Sequence, residues 1–123
     1  MRALTHSDMV AAARVLMGFA EADHGAVARR LIAEARWADS WRKRNGRAHP
    51  LWGDGSLMAA ALLRRPGPEP SMNDARWLGC LAAVLEALID DRRQRAEAQE
   101  TQVAAAGSIS NRRGAISSPQ SQQ

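Results

Sequence analysis

The segment from Ser71 to Arg93 carries the apolar pattern that most constrains the fold. Its large apolar residues recur at spacings of one, three and four, as Trp77, Leu78, Leu81, Val84, Leu85, Leu88 and Ile89. On a helix this spacing forms one wide apolar stripe, which a core-facing helix requires. Ser71 followed by Asp74 predicts a capping box at its start. We expect this helix to run to about Arg93 and to fray beyond it.

Two earlier segments also have helical patterns. Thr5 followed three residues later by Asp8 predicts a capping box and a first helix that ends near Gly18. The second helix is predicted from about Asp23 to Asn45, and Gly46 stands where a left-handed residue would terminate it. Its apolar stripe consists of Val27, Ala28, Leu31, Ile32, Ala35 and Ala38.

A short third helix is predicted from about Gly55 to Arg65. Asp54 or Ser56 can cap its start, and Pro66 stops it. The chain has no tyrosine and only one phenylalanine, which argues against an all-β fold. The expected fold class is therefore all-α, a small bundle of about four helices with a disordered C-terminal tail.

The composition changes near the end of the chain. The segment GSISNRRGAISSPQSQQ, from residue 107 on, is rich in serine and glutamine and has few large apolar residues. Such a segment buries too little surface to offset the entropy of ordering. We therefore expect a helical domain over residues 1–95, and a frayed helix end and disordered tail over residues 96–123.

Charge and cysteine content exclude several classes of protein. The formal net charge is +4, and Lys43 is the only lysine among the 17 basic residues. In an arginine-rich chain of this kind, the basic residues more often form a solvated surface than a nucleic-acid interface. Cys80 is the single cysteine, so neither an intramolecular disulfide nor a multi-cysteine metal site can form. Without a signal peptide or an apolar run of membrane-spanning length, the predicted location is cytoplasmic.

The loop RNGRAHPLWGDGSL, residues 44–57, is the least ordinary stretch of the sequence. Glycines before a helix resemble an anion-binding turn, but the spacing of a phosphate-binding loop is missing and Asp54 would repel phosphate. His49 and Asp54 have no metal-ligand spacing, and Ser56 lacks the context of a nucleophile. The sequence therefore predicts no cofactor and no metal, and the assignment as an enzyme stays open, leaning against it.

A purely structural interpretation accounts for the same loop. Trp52 would be a buried plug between the second and third helices, and Asp54 or Ser56 would cap the third helix. Gly53 and Gly55 would supply positive φ angles. In this interpretation His49 is a solvated neighbour of Pro50.

A binding function is the alternative for this region. On the second helix Trp37 and Trp41 are i,i+4 neighbours beside basic residues, and tryptophan with arginine is typical of interface hot spots. We expect a non-catalytic binding or adaptor module that acts on a protein partner. The alternative is nucleic-acid or anion binding through the basic end of the second helix and the glycine-rich loop. The candidate binding surface is Trp41, Arg42, Lys43, Arg44, Arg47, His49, Trp52, Asp54 and Ser56.

Two stretches together resemble a known family. RNGRAHPLWGDGSLMAAAL, followed later by DARWLGCLAAVLEAL, is similar to a small family of alphaproteobacterial proteins of about this length. The resemblance covers residues 1 to about 92 and leaves the tail outside. It implies a domain with no assigned activity, so it transfers no catalytic or binding residue to this sequence.

Overall fold

The computed structural model describes the backbone of residues 1–121 and the side chains of residues 1–107. Its helices are α1 (His6–Leu16), α2 (His24–Asn45), α3 (Leu57–Leu62) and α4 (Ala75–Ser121), with a short 3-10 turn at Glu21–Asp23. The part of the chain so described contains no β-strand, only one isolated bridge. The all-α class and the four helices are confirmed.

The capping box at the start of α1 forms as predicted. The Thr5 hydroxyl accepts the N–H of Asp8, and the Asp8 carboxylate accepts the N–H of Thr5 at 2.8 Å. Asp8 is also buried, and its second oxygen accepts the N–H of Met58 in the first turn of α3 at 2.9 Å. One carboxylate therefore satisfies free N–H groups on two helices, which holds α1 and α3 together.

Helix α2 matches the prediction closely. It ends at Asn45, and Gly46 follows in the left-handed conformation with φ of 71°. Leu31, Ala35 and Ala38 are fully buried, as the predicted stripe requires. Helix α3 packs against both α1 and α2, so it joins these two helices.

A buried carboxylate also links α2 to the end of α3. Glu34 accepts two hydrogen bonds of 2.7 Å from Arg64 and one of 2.8 Å from Arg30. Burial alone would raise the pKa of Glu34, but these two arginines outweigh it and hold the pKa below its ordinary value. Arg64 follows the last residue of α3 by two positions, and its charge compensates the buried charge of Glu34. This ion pair therefore holds the end of α3 against α2.

The start of α4 differs from the prediction. Asp74, not Ser71, caps the helix, because its carboxylate accepts the N–H groups of Arg76 and Trp77. The Ser71 hydroxyl instead accepts the N–H of Asn73 in the preceding turn. Arg76 donates to the carbonyls of Met17 and Phe19, so it ties α4 to the end of α1.

Only half of the predicted α4 stripe enters the core. Trp77, Val84 and Leu88 are buried, and Leu81 is half-buried against them. The expectation that the whole stripe is covered is wrong for Leu78, Leu85 and Ile89, which stay 43 %, 45 % and 46 % exposed. The core contacts a narrower arc of the helix than the seven apolar residues occupy. The residues at one edge of the stripe therefore stay exposed to solvent.

The chain divides into two compact units, Met1–Ile89 and Asp90–Gln123. Helix α4 was predicted to end near Arg93, but its backbone continues to Ser121. The side chains of residues 108–123, which belong to the predicted tail, lie outside the described residues. Its disorder, and the boundary at residue 95, stay predictions.

Candidate binding surface

The loop between α2 and α3 is organised by His49. The backbone N–H of His49 donates to the carbonyl of Gly53 at 2.7 Å, and the N–H of Gly53 donates back at 3.1 Å. The His49 ring nitrogen Nδ1 accepts the N–H groups of Leu51 and Trp52, at 3.0 and 3.2 Å. Because Nδ1 accepts, the neutral ring carries its proton on Nε2. The expectation of a solvated, incidental His49 is wrong, since this half-buried side chain holds the turn together.

Two glycines let this loop lie directly on the helices, as predicted. Gly53 has φ of 83°, and a Cβ there would lie 2.7 Å from Cβ of Ala59 on α3. Gly55 has φ of 93°, and a Cβ there would lie 2.6 Å from Cβ of Asp39 on α2. Both positive φ and close approach exclude larger residues at these positions.

The start of α3 is capped within the chain. Ser56 is the N-cap, and its hydroxyl accepts the N–H of Ala59 at 3.1 Å. Asp54 accepts the N–H of Ser56 at 3.0 Å and forms an exposed ion pair with Arg2. The hydrogen bond from Ser56, more than the charge of Arg2, lowers the pKa of Asp54. Asp54 thus shapes the turn that precedes the cap.

Four aromatic side chains join the loop to α2, and we call them the aromatic ladder: Trp37, Trp52, His49 and Trp41. The Trp37 and Trp52 centroids are 5.3 Å apart, and the His49 ring is stacked on Trp52 at 4.7 Å with an interplanar angle of 13°. Trp41 meets His49 edge-on at 5.2 Å. Aromatic pairs at these separations attract each other beyond the area they bury.

An arginine stands at each end of the aromatic ladder. The guanidinium carbon of Arg30 lies 5.0 Å from the centroid of Trp37, and that of Arg47 lies 5.6 Å from the centroid of Trp41. Both distances are within the range of cation–π attraction. The alternation of guanidinium groups and rings gives one surface with both positive charge and apolar area.

The aromatic ladder is partly open to solvent. Trp37 is 46 % exposed, and Trp41, His49 and Trp52 are half-buried. The expectation that Trp52 is a fully buried plug is therefore wrong. Its ring is covered by Trp37 and His49 rather than by the core.

The predicted basic cluster at the end of α2 is mostly engaged in ion pairs. Asp39 is 3 % exposed, and its carboxylate binds Arg42 at 2.9 Å, the Met1 ammonium at 3.2 Å and Lys43 at 3.3 Å. Burial alone would raise the pKa of Asp39, yet Arg42, Met1 and Lys43 together lower it to about 2. Lys43 and Arg44 are both exposed, so both stay accessible to solvent although Lys43 is paired with Asp39.

A family model described as a domain of unknown function (DUF7742) matches residues 2–88, more than half of the chain. The chain belongs to this family. The resemblance found in the sequence is thereby confirmed as to the family, and the alphaproteobacterial origin stays a prediction. No curated protein matches the chain, and no solved structure matches it. The whole aromatic ladder lies inside the segment that this domain of unknown function covers.

Arg30 and Asp39 of this DUF7742 domain do not belong to the candidate surface predicted from the sequence. Arg30, Trp37 and Trp41 are spaced i, i+7 and i+11, which is one face of a helix, so the signal for the ladder's helical half was present. Asp39 gave no such signal, because its role depends on Gly55 and on the chain's first residue reaching it across the fold.

The structure places a histidine next to the single cysteine. Cys80 Sγ lies 3.9 Å from Nδ1 of His24, and Nε2 of His24 is 3.0 Å from the carbonyl of Phe19. Burial raises the pKa of the Cys80 thiol, so the neutral thiol is favoured over the reactive thiolate. The pair therefore fits a packed core contact better than a nucleophile.

The described residues contain neither a metal-binding cluster nor a membrane-spanning helix. No group of three or more His, Cys, Asp or Glu side chains is arranged to hold a metal ion there. Among the helices so described, none combines the length and the apolar character needed to cross a membrane.

Proposed function

We propose that this chain is a non-catalytic binding module whose aromatic ladder, with Arg30 and Arg47, contacts a protein partner that presents acidic and apolar groups. The observation that carries the proposal is the exposure of Trp37, at 46 %, within a connected set of rings and guanidinium groups. Tryptophan and arginine are the side chains most enriched in interface hot spots.

The rigidity of the aromatic ladder supports this role. Trp52 is fixed by its stacking on His49, and His49 is fixed by two backbone N–H donors and by the bridge to Gly53. Side chains that are already ordered lose little entropy on binding. A surface that is ordered before contact is the kind that a partner can bind tightly.

The positive charge of the segment that carries the aromatic ladder supports a partner with acidic groups. Between Ala26 and Arg47 the sequence has seven basic residues and two acidic ones, Glu34 and Asp39. Both carboxylates are buried, so the charge that this segment presents to solvent is positive. Complementary charge speeds encounter and selects among partners.

The alternative of nucleic-acid or anion binding has less support. Arg42 and Lys43 are paired with Asp39, and the N–H groups of Met58 and Ala59 at the start of α3 are accepted by side chains of this chain. A phosphate would have to displace these contacts.

A peptide-display selection tests the proposal. The full chain, immobilised through its C-terminus, would be screened against a random peptide library, and the selected peptides would be synthesised and titrated against the soluble chain. We expect peptides enriched in acidic and aromatic or aliphatic residues. Trp37→Ala and Arg47→Ala should each weaken their binding by about tenfold or more, as loss of a hot spot does.

Arg29→Ala is the matched control, because Arg29 is an exposed arginine of the same helix outside the aromatic ladder. It should bind the selected peptides like the parent. A labelled single-stranded oligonucleotide and a duplex would be titrated in parallel at low and moderate salt. Oligonucleotide binding that depends on Trp37 and Arg47, or peptides that bind the Trp37→Ala variant equally well, would overturn the proposal.

A further inference from the structure

A cleft of about 650 Å³ is lined by the end of α1 and by the connector, residues 63–74, which joins α3 to α4. This volume is within the range of small-molecule sites. Met17 and Phe19 line the cleft beside α1, and three prolines line it from the connector. All the lining residues belong to the unit Met1–Ile89, and none belongs to the aromatic ladder.

The cleft also carries positive charge. Arg14, Arg64 and Arg65 line it, and none of the described residues that line it is acidic. Arg64 is compensated by the buried Glu34, whereas Arg14 and Arg65 have no acidic partner within the described residues. Uncompensated positive charge therefore stands beside apolar surface.

Arg14 holds the connector against α1 and still has N–H groups to offer. Its Nε donates to the carbonyl of Gly67 at 2.6 Å, and its Nη2 donates to the carbonyl of Pro66 at 3.3 Å. A guanidinium has five N–H groups, so the others have no acceptor among the described residues. The two carbonyls fix where this guanidinium lies at the cleft.

Arg65 is held at the cleft in a strained conformation. Its φ of 49° lies in the left-handed region, where every other described residue is a glycine. Pro66 follows it, and a residue before a proline favours extended backbone instead. Glycine would occupy this position without strain. Strain of this kind often persists at ligand-binding sites.

We propose that this cleft binds a small organic carboxylate with an apolar body. The carboxylate pairs with Arg65 and Arg14, since guanidinium groups bind carboxylates through charge-assisted hydrogen bonds. The apolar body contacts Phe19, which is 41 % exposed, and the prolines of the connector. An apolar site with a few polar groups that orient the ligand is the usual form of a small-molecule site. This inference does not rest on the aromatic ladder.

Titration of the ¹⁵N-labelled full chain with octanoate, followed by amide chemical shifts, tests the proposal. The amides of Gly18, Phe19 and Gly67 should shift along a saturable curve, and those of Trp37 and Trp52 should not. Affinity should rise by about tenfold or more from butyrate to octanoate, because the added methylenes leave water. Octanamide, which has the same body without the charge, should bind about fivefold or more weakly. Inorganic phosphate, which has charge but no apolar body, should also bind more weakly than octanoate.

Substitutions at Arg65 test the site without disturbing a contact of the fold. Arg65→Gln should weaken octanoate binding by about fivefold or more, because a charged donor is lost. Arg65→Gly should weaken it equally without lowering the melting temperature, since glycine adopts the left-handed conformation readily. Arg47→Gln is the matched control, because it removes the same charge from the aromatic ladder, and it should bind octanoate like the parent.

Four outcomes would overturn the proposal. They are a parent that does not bind octanoate, octanamide or inorganic phosphate that binds as tightly, an affinity that does not rise with chain length, and Arg65 variants that bind like the parent. Loss of binding in Arg47→Gln rather than in Arg65→Gln would place the carboxylate on the aromatic ladder and equally overturn it. The peptide selection reads the aromatic ladder alone, so the two proposals can fail separately.

Discussion

The His49 imidazole lies parallel to the Trp52 indole, with centroids 4.7 Å apart, while its Nδ1 accepts the backbone N–H of Trp52. The same side chain therefore fixes both the backbone of the turn and the ring that the turn presents. The conformation of the loop and the shape of the candidate binding surface are coupled through this one residue. Changes at His49 should affect both.

His49→Ala should lower the free energy of unfolding by about 1–2 kcal/mol, because two backbone N–H groups lose their acceptor. His49→Asn should lose less, since an asparagine oxygen can accept N–H groups two residues on. Urea denaturation followed by tryptophan fluorescence measures both. A His49→Ala variant as stable as the parent would contradict the role of His49 in the turn.

Trp52→Ala should cost about 1–3 kcal/mol, less than a fully buried tryptophan would, because the ring is only half-buried. Trp37→Ala should cost under about 1 kcal/mol, since nearly half of that side chain is already in water. Thermal melts of the two variants give the ranking. The reverse order would mean that Trp37, not Trp52, anchors the aromatic ladder.

Gly55→Ala should be more damaging than Gly46→Ala. Both glycines have positive φ, which costs an alanine about 1 kcal/mol. Only at Gly55 would the new Cβ also collide with the backbone of Asp39. We expect a loss of about 2 kcal/mol or more at Gly55. Gly67→Ala is the control, because Gly67 has ordinary φ and open space. Equal losses at Gly46 and Gly55 would show that the loop moves away from α2 at no cost.

Asp39→Asn should remove an acid-sensitive part of the stability. The folded pKa of about 2 lies below the ordinary value of 3.8, so the carboxylate stabilises the fold above about pH 4. This contribution, about 2 kcal/mol, is lost as the pH falls from about 4 to 2. Urea denaturation at several pH values should show a smaller acid dependence for Asp39→Asn than for the parent. The exposed Glu69→Gln serves as the control, and a variant with the parent's pH profile would contradict the buried ion pair.

Leu88→Ala and Leu85→Ala should separate the two faces of α4. Leu88 is buried, so its truncation should cost about 2–5 kcal/mol. Leu85 is exposed, and its truncation should cost under about 1 kcal/mol. Chemical denaturation of the two variants makes the comparison. Similar losses at both positions would mean that the helix is rotated from the orientation described.

The features of this protein that depend on near neighbours could be predicted from the amino-acid sequence alone. The capping box of Thr5 and Asp8, the left-handed Gly46 and the stripe of α2 follow from contacts within a few residues, so their patterns are visible in the chain. The same holds for the positive φ angles of Gly53 and Gly55 and for the Ser56 cap.

Features that depend on which surfaces meet are visible only in the folded chain. Periodicity marked seven apolar positions on α4, but only the packing of α1, α2 and α3 determined which of them lie in the core and which stay exposed. The Asp8 contact to Met58 spans 50 residues, and the ring contact between Trp37 and Trp52 requires the loop to fold back onto α2. Local patterns encode backbone conformation because its energetics are local, whereas burial and pairing depend on contacts between residues far apart in the chain.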